Sequence, residues 1–156
     1  MPDIQRQFVW KTKQVRDLFD SIYKGFPTGY LLFWDNSTES NTKIIGIDDK
    51  ISGFRSLIID GQQRLTALYA TIEGIPIIDK NYKEKKIIIA FNPVTENFEV
   101  SNPAIEKDVE YISDISELFK PDFFSFDFTN NYLEKLRNKR EISKSETSKI
   151  SKNISR

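Results

Sequence analysis

The stretch from Leu57 to Gly74, LIIDGQQRLTALYATIEG, constrains this chain more than any other. Its aliphatic start suits a buried strand, Asp60-Gly61 marks a turn, and Leu65, Leu68, Tyr69 and Ile72 recur at helical spacing before a stop at Gly74. A strand that turns on Asp-Gly straight into a helix, predicted over about Gln62 to Glu73, leaves the first N–H groups of that helix without internal partners. Those groups, with the positive end of the helix dipole, attract anions. Gly61 allows close approach to the backbone, Gln62 and Gln63 offer neutral donors, Arg64 a forked cation suited to phosphate oxygens, and Thr66 a hydroxyl within the first turn. The bland alternative is a capping Asp60, a turn glycine and a solvated Arg64.

What the chain lacks narrows its chemistry. It has 156 residues with no Cys and no His. Disulfides, thiolate metal sites, serine-histidine triads and histidine-zinc sites are thereby excluded within it, and any acid or base must be Asp, Glu, Lys or Tyr. No apolar run is long enough to cross a membrane and the N-terminus, MPDIQRQF, is not a secretory signal, so no membrane partner and a cytoplasmic location are expected. The formal charge is zero, yet residues 134–156 carry eight Lys or Arg against three Glu.

Along the chain, Val15, Leu18, Phe19, Ile22 and Tyr23 predict a first helix, capped by Thr12 and closed by Gly25. TGYLLFWD and TKIIGI read as strands, TESN as a loop, and DDKISGFR as an irregular connection before Ser56. KKIIIAFNPVTENFEV reads as a hairpin, DISELF as a short helix with Asp114 at capping-box spacing from Glu117, and PDFFSFDF as a strand or irregular cover. Trp10 and Trp34 are read as core residues. Short strands among separate helices imply an α+β class.

Two parts are expected, a domain over residues 1–130 and a polar, helix-forming segment over 131–156. The apolar positions of that segment, Leu133, Leu136, Ile142, Ile150 and Ile154, are too few to bury much alone. Its packing partner is therefore expected beyond the chain end, as in a fragment or truncated gene product.

A second stretch, PDIQRQFVWKTKQVRDLFDSIYKGFPTGYLLFW, precedes the first. Its I-Q-R-x-F-V-W segment, its helix ending in D-S-I-x-x-G-x-P-x-G, the following strand and D-G-Q-Q-R-L-T at a helix head together closely resemble the N-terminal domain of GmrSD-type restriction enzymes. That family is related to the ParB and sulfiredoxin fold, and the resemblance covers roughly residues 2 to 100 strongly and the remainder only in general character. It implies a ParB/sulfiredoxin-like domain that binds a nucleoside triphosphate with Mg²⁺. Asp60, Gly61, Gln62, Gln63 and Arg64 would form the signature beside Thr66, with Gln5 and Arg6 as a second wall of the same pocket. It also implies service in phage defence through modification-dependent DNA restriction.

For hydrolysis, Arg64 and the helix N-terminus would stabilise phosphate charge, while Asp60 would orient water or contact the metal. The partners implied are DNA, modified DNA included, and a histidine-containing nuclease domain or subunit, with a homodimer as a further arrangement. The competing class is a DNA-binding or sensing module of the same fold that hydrolyses nothing, to which the basic 134–156 segment would contribute phosphate contacts. A partition or clamp protein of the ParB kind is a third and weaker reading.

Overall fold

The computed structural model describes residues 7–35, 42–44, 47–51 and 56–156. Gln5, Arg6 and the TESN loop lie outside the described residues. The chain divides into two compact units, one of Met1–Ala70 with Ile75–Ile87, the other of Thr71–Gly74 with Ile88–Arg156.

In the first unit, helix α1 (Thr12–Tyr23) buries Val15, Leu18 and Phe19, the stripe its sequence period requires. Lys11, not Thr12, holds the capping position, and its N–H donates to the Gln14 side chain at 2.8 Å. A glutamine at the third helical position supplies this bond, which leaves Thr12 inside the helix. Gly25 ends α1 as expected: at φ +73° it donates to the Ile22 carbonyl at 3.0 Å, and Phe26 donates to Ser21 at 2.8 Å. The two bonds make a Schellman closure, which the left-handed glycine permits.

Strand β1 (Leu32–Asp35) pairs antiparallel with β4 (Ser56–Asp60) around an inserted hairpin of β2 (Thr42–Ile44) and β3 (Ile47–Ile51). Two expectations change here. Thr28 to Leu31 precede β1 as loop, because only the second half of TGYLLFWD finds a ladder partner. TKIIGI is divided between β2 and the start of β3, and residues 48–51 of the expected irregular connection continue β3. Register along β1 and β4 shifts between Leu32, opposite Asp60, and Phe33, opposite Ile58. The extra residue, Ile59, is a bulge beside the Asp60 turn.

Helix α2 (Gln62–Glu73) follows at once. Its buried positions are Ala67, Ala70 and Thr71, whereas Leu65, Leu68 and Ile72 are half-buried and Tyr69 is exposed. Small side chains hold these positions, so the most buried face of α2 is not its bulkiest one. Trp10 is half-buried, and Trp34 is exposed on β1. Strands β5 (Ile77–Ile78) and β6 (Glu84–Lys85) complete this unit.

The second unit contains the expected hairpin, β7 (Ile89–Asn92) and β8 (Asn97–Val100), closed by Asn92, whose side-chain oxygen accepts from Val94 and Thr95. DISELF forms a 3-10 turn capped by Asp114, which accepts from the Ser116 N–H at 3.0 Å. Helix α3 (Ser125–Lys139) begins inside PDFFSFDF, so that segment is neither strand nor irregular cover over its second half, and α4 (Lys144–Ile154) follows. Leu133, Leu136, Ile150 and Ile154 are buried within this unit. The basic segment thus finds packing partners inside the chain, where Tyr132 donates to the Glu110 carbonyl at 2.9 Å and Asn153 to Pro93 at 2.8 Å. Burial of Tyr132 raises its phenol well above the ordinary range. The class is α+β, with four helices and short antiparallel strand pairs among the described residues.

Candidate functional site

The β4–α2 junction is built by Gly61. Its carbonyl accepts from the Leu65 N–H at 3.0 Å, so Gly61 opens the helix, and its φ of +91° is left-handed. A Cβ there would stand 2.4 Å from Leu31 Cδ2 and 3.1 Å from Arg64 Nη2. Asp60 therefore does not occupy the capping position. Its carboxylate, 73% exposed, instead accepts from Arg64 Nη2 at 3.2 Å across one helical turn.

Arg64 is also held by the loop before β1. Nη1 donates to the Thr28 carbonyl and Nη2 to that of Tyr30, which leaves the Arg64 side chain only 17% exposed. Gly29 makes room between those carbonyls: at φ +93°, its added Cβ would lie 2.3 Å from Arg64 Nη1. A planar guanidinium presents five donors in a fixed fork, and this geometry spreads three of them over Thr28, Tyr30 and Asp60.

Gln63 draws in a third segment. Its Oε1 accepts from the Val9 N–H at 3.0 Å and its Nε2 donates to the Gln7 carbonyl at 3.1 Å. Only one orientation of the amide satisfies both bonds. Phe8, buried between those residues in sequence, forms a parallel bridge with Asp79. Backbone N–H groups of Lys83 and Asn81 point at the Asp79 carboxylate and hold its pKa below the ordinary aspartate value.

Of the signature residues, Gly61 and Arg64 are thus brought together with Asp60, whereas the Gln63 side chain meets the backbone of Gln7 and Val9. Gln62 turns back to donate to the Ile58 carbonyl of β4, and Thr66, fifth in the helix, stands half-buried at the start of the second turn, just past the expected first turn. Gln5 and Arg6 lie outside the described residues, although the chain enters this site at Gln7, next in sequence. Sequence reasoning missed Thr28, Gly29 and Tyr30, which contribute carbonyls or space and not side-chain chemistry. Gly29 within FPTGY was the available signal, since an isolated glycine often marks close approach of another group.

The basic 134–156 segment is partly neutralised within its own unit. Lys139 contacts Asp108 at 2.8 Å, Arg140 contacts Glu146 and Glu110, and Lys149 contacts Glu96 at 2.9 Å. Among the described residues no three carboxylates converge as a metal cage, and no helix is long and apolar enough to cross a membrane.

Comparison with known families gives a match along the whole chain, residues 1–156, to the family described as GmrSD restriction endonuclease, N-terminal domain. A search of the curated proteins finds no match.

Proposed function

Because the chain belongs to the family of GmrSD restriction endonuclease N-terminal domains, we propose that it is the nucleotide-handling part of a DNA restriction system. It would bind a nucleoside triphosphate at the first turn of α2. The observation that carries this reading is the convergence of three separated segments, 7–9, 28–30 and 60–61, on the side chains of Gln63 and Arg64.

The chemistry follows from what those groups offer. Phosphate oxygens would meet the N–H groups at the head of α2, which Gly61 opens. Arg64 supplies positive charge fixed in place before any ligand arrives, which is the preorganisation that charge stabilisation requires. Asp60 is exposed and offers a hard oxygen four residues from Arg64. A single carboxylate suits Mg²⁺, which retains waters and shares substrate phosphates more readily than it enters an all-protein cage. The ion, when bound, would neutralise phosphate charge. Asp60 would hold the ion or a water, and Arg64 would keep the Asp60 carboxylate oriented.

A binding-only variant of this reading draws on the same pair: Asp60 and Arg64 are bonded to each other, so that nucleotide would be sensed without being hydrolysed. In either form the chain carries no histidine, so a histidine-metal nuclease that cuts DNA would be supplied by another domain or subunit. A restriction system of this kind would act on DNA, modified DNA included, in the cytoplasm and in defence against phage. The ParB/sulfiredoxin-like relationship remains part of this proposal.

The test is a thermal-shift and phosphate-release screen of ATP, GTP, CTP and UTP with Mg²⁺, with and without DNA, on the wild type, Arg64→Ala and Asp60→Asn. One nucleotide at a hundredfold excess over its Kd should stabilise the wild type by about 2.7 kcal/mol. Arg64→Ala should lose that shift, and Asp60→Asn should lose phosphate release. A folded wild type indifferent to all four nucleotides would end the nucleotide reading.

A further inference from the structure

Gln63 was expected to touch nucleotide, but both ends of its amide meet the backbone of a segment far away in sequence. Oε1 takes the Val9 N–H at 3.0 Å, and Nε2 gives a proton to the Gln7 carbonyl at 3.1 Å. A side-chain amide that bonds one residue's C=O and the N–H two residues on mimics the edge of a neighbouring strand. It can fasten an extended segment without any ladder.

We infer that Gln63 is a positioning residue: it fastens residues 7–9 to the first turn of α2, and the site's affinity for phosphate depends on that segment's placement, not on contact between Gln63 and the ligand. This rests on the nucleotide reading given above. Three further observations support the fastening role. Phe8 is buried between the two bonded residues and is bridged to Asp79, so the segment is held at its middle as well. Val9 itself is 53% exposed, so its side chain cannot provide the anchor that its backbone receives from Gln63. The neighbouring Arg64 performs the same task for another loop, through the Thr28 and Tyr30 carbonyls. Consecutive side chains at the helix head thus tie down two different segments.

Glutamine is required by this geometry because it is acceptor and donor at once. Gln63→Glu keeps the acceptor for Val9 N–H, but its charged form turns a second acceptor toward the Gln7 carbonyl. That repulsion raises the pKa of the new carboxyl, and the protonated form restores the missing donor. Gln63→Met removes both bonds at similar length. The two variants therefore separate fastening from bulk.

The experiment uses the full chain of wild type, Gln63→Glu and Gln63→Met, with amide exchange followed at Val9 and affinity measured by titration with ATP, GTP, CTP and UTP in Mg²⁺ at pH 5 and pH 8. In Gln63→Met the Val9 amide should exchange about tenfold faster with no nucleotide present, the loss of one hydrogen bond. Affinity relative to wild type should fall at least tenfold in Gln63→Met at both pH values, and in Gln63→Glu at pH 8 with recovery at pH 5. Gln63→Glu at pH 5 also serves as the folded reference should Gln63→Met unfold. Unchanged Val9 exchange overturns the inference, as does faster exchange with unchanged affinity, or a loss in Gln63→Glu that pH does not relieve. Faster Val9 exchange in a protein whose wild type binds none of the four nucleotides retains the fastening and defeats the nucleotide reading instead.

Discussion

Gly29 and Arg64 share one space: the Cβ that any other residue would place at position 29 would stand 2.3 Å from Arg64 Nη1. The backbone there is left-handed, at φ +93°. The close approach lets the guanidinium reach the carbonyls on either side, those of Thr28 and Tyr30. Gly29→Ala should therefore act twice, through backbone strain and through displacement of Arg64. A destabilisation of about 1–3 kcal/mol is expected for the strained backbone alone. Urea unfolding should show a lower midpoint with an unchanged slope.

Gly61→Ala should be at least as damaging. Its φ is +91°, and its Cβ would meet Leu31 Cδ2 at 2.4 Å in a position that is already buried. The same denaturation series would show it; a midpoint within error of wild type would contradict the assigned backbone conformation.

Arg64→Lys tests geometry apart from charge. An ammonium keeps the cation yet cannot present a planar fork to Thr28, Tyr30 and Asp60 together. Hydrogen bonds to charged groups contribute about 1.5–3 kcal/mol each, so a loss of that order is expected when one of the three is broken. Faster amide exchange over residues 28–31 should accompany the loss, and its absence would show that the loop is held by other contacts.

Leu136 is fully buried within the second unit, so Leu136→Ala should cost about 2–5 kcal/mol, while Ile142→Ala, at a half-buried position, should cost less. Equal and small effects from the two, read by chemical denaturation, would mean that α3 is not packed as described.

Acid should loosen the second unit. Hydrogen bonds from Lys139 to Asp108, from Lys149 to Glu96 and from Arg140 to Glu146 hold those three carboxyls below their ordinary pKa values. A carboxyl with a depressed folded-state pKa contributes stability that is present above its unfolded value and is lost as pH falls through the folded one. The melting temperature should therefore decline as pH drops below about 4. The ion pairs are largely solvated, so the decline should be shallow and weaker still in high salt. Asp108→Asn should flatten it, and a decline equally steep in that variant would assign acid sensitivity elsewhere.

The C-terminal limit of α1 and the β7–β8 hairpin were legible in sequence because local rules decide them. Gly25 closes α1 by a backbone conformation that favours glycine, and Asn92 closes the hairpin turn through its own side chain. The Asp-Gly entry into α2 was legible for the same reason, although Gly61 proved to be the opening residue. Two features of the second unit and strand β1 were not legible. TGYLLFWD has strand composition throughout, yet pairing stops at Leu32 because β4 turns into α2 opposite it. The last segment looked too polar to pack, but Leu133, Leu136, Ile150 and Ile154 need only a narrow face, and which surface meets that face is a non-local matter.

The candidate site divides along the same line. Residue types suited to phosphate were visible at Asp60 to Thr66 because side-chain chemistry is written in the sequence. What each side chain touches was not. Gln63 faces the backbone of Gln7 and Val9, and Arg64 the carbonyls beside Gly29, because the tertiary fold brings unpaired backbone groups from distant segments to the head of one helix. Sequence by itself determined which donors, charges and glycines were available at that turn. Only the tertiary structure decided their partners, since backbone N–H and C=O groups are the same in every residue and their positions are set by packing.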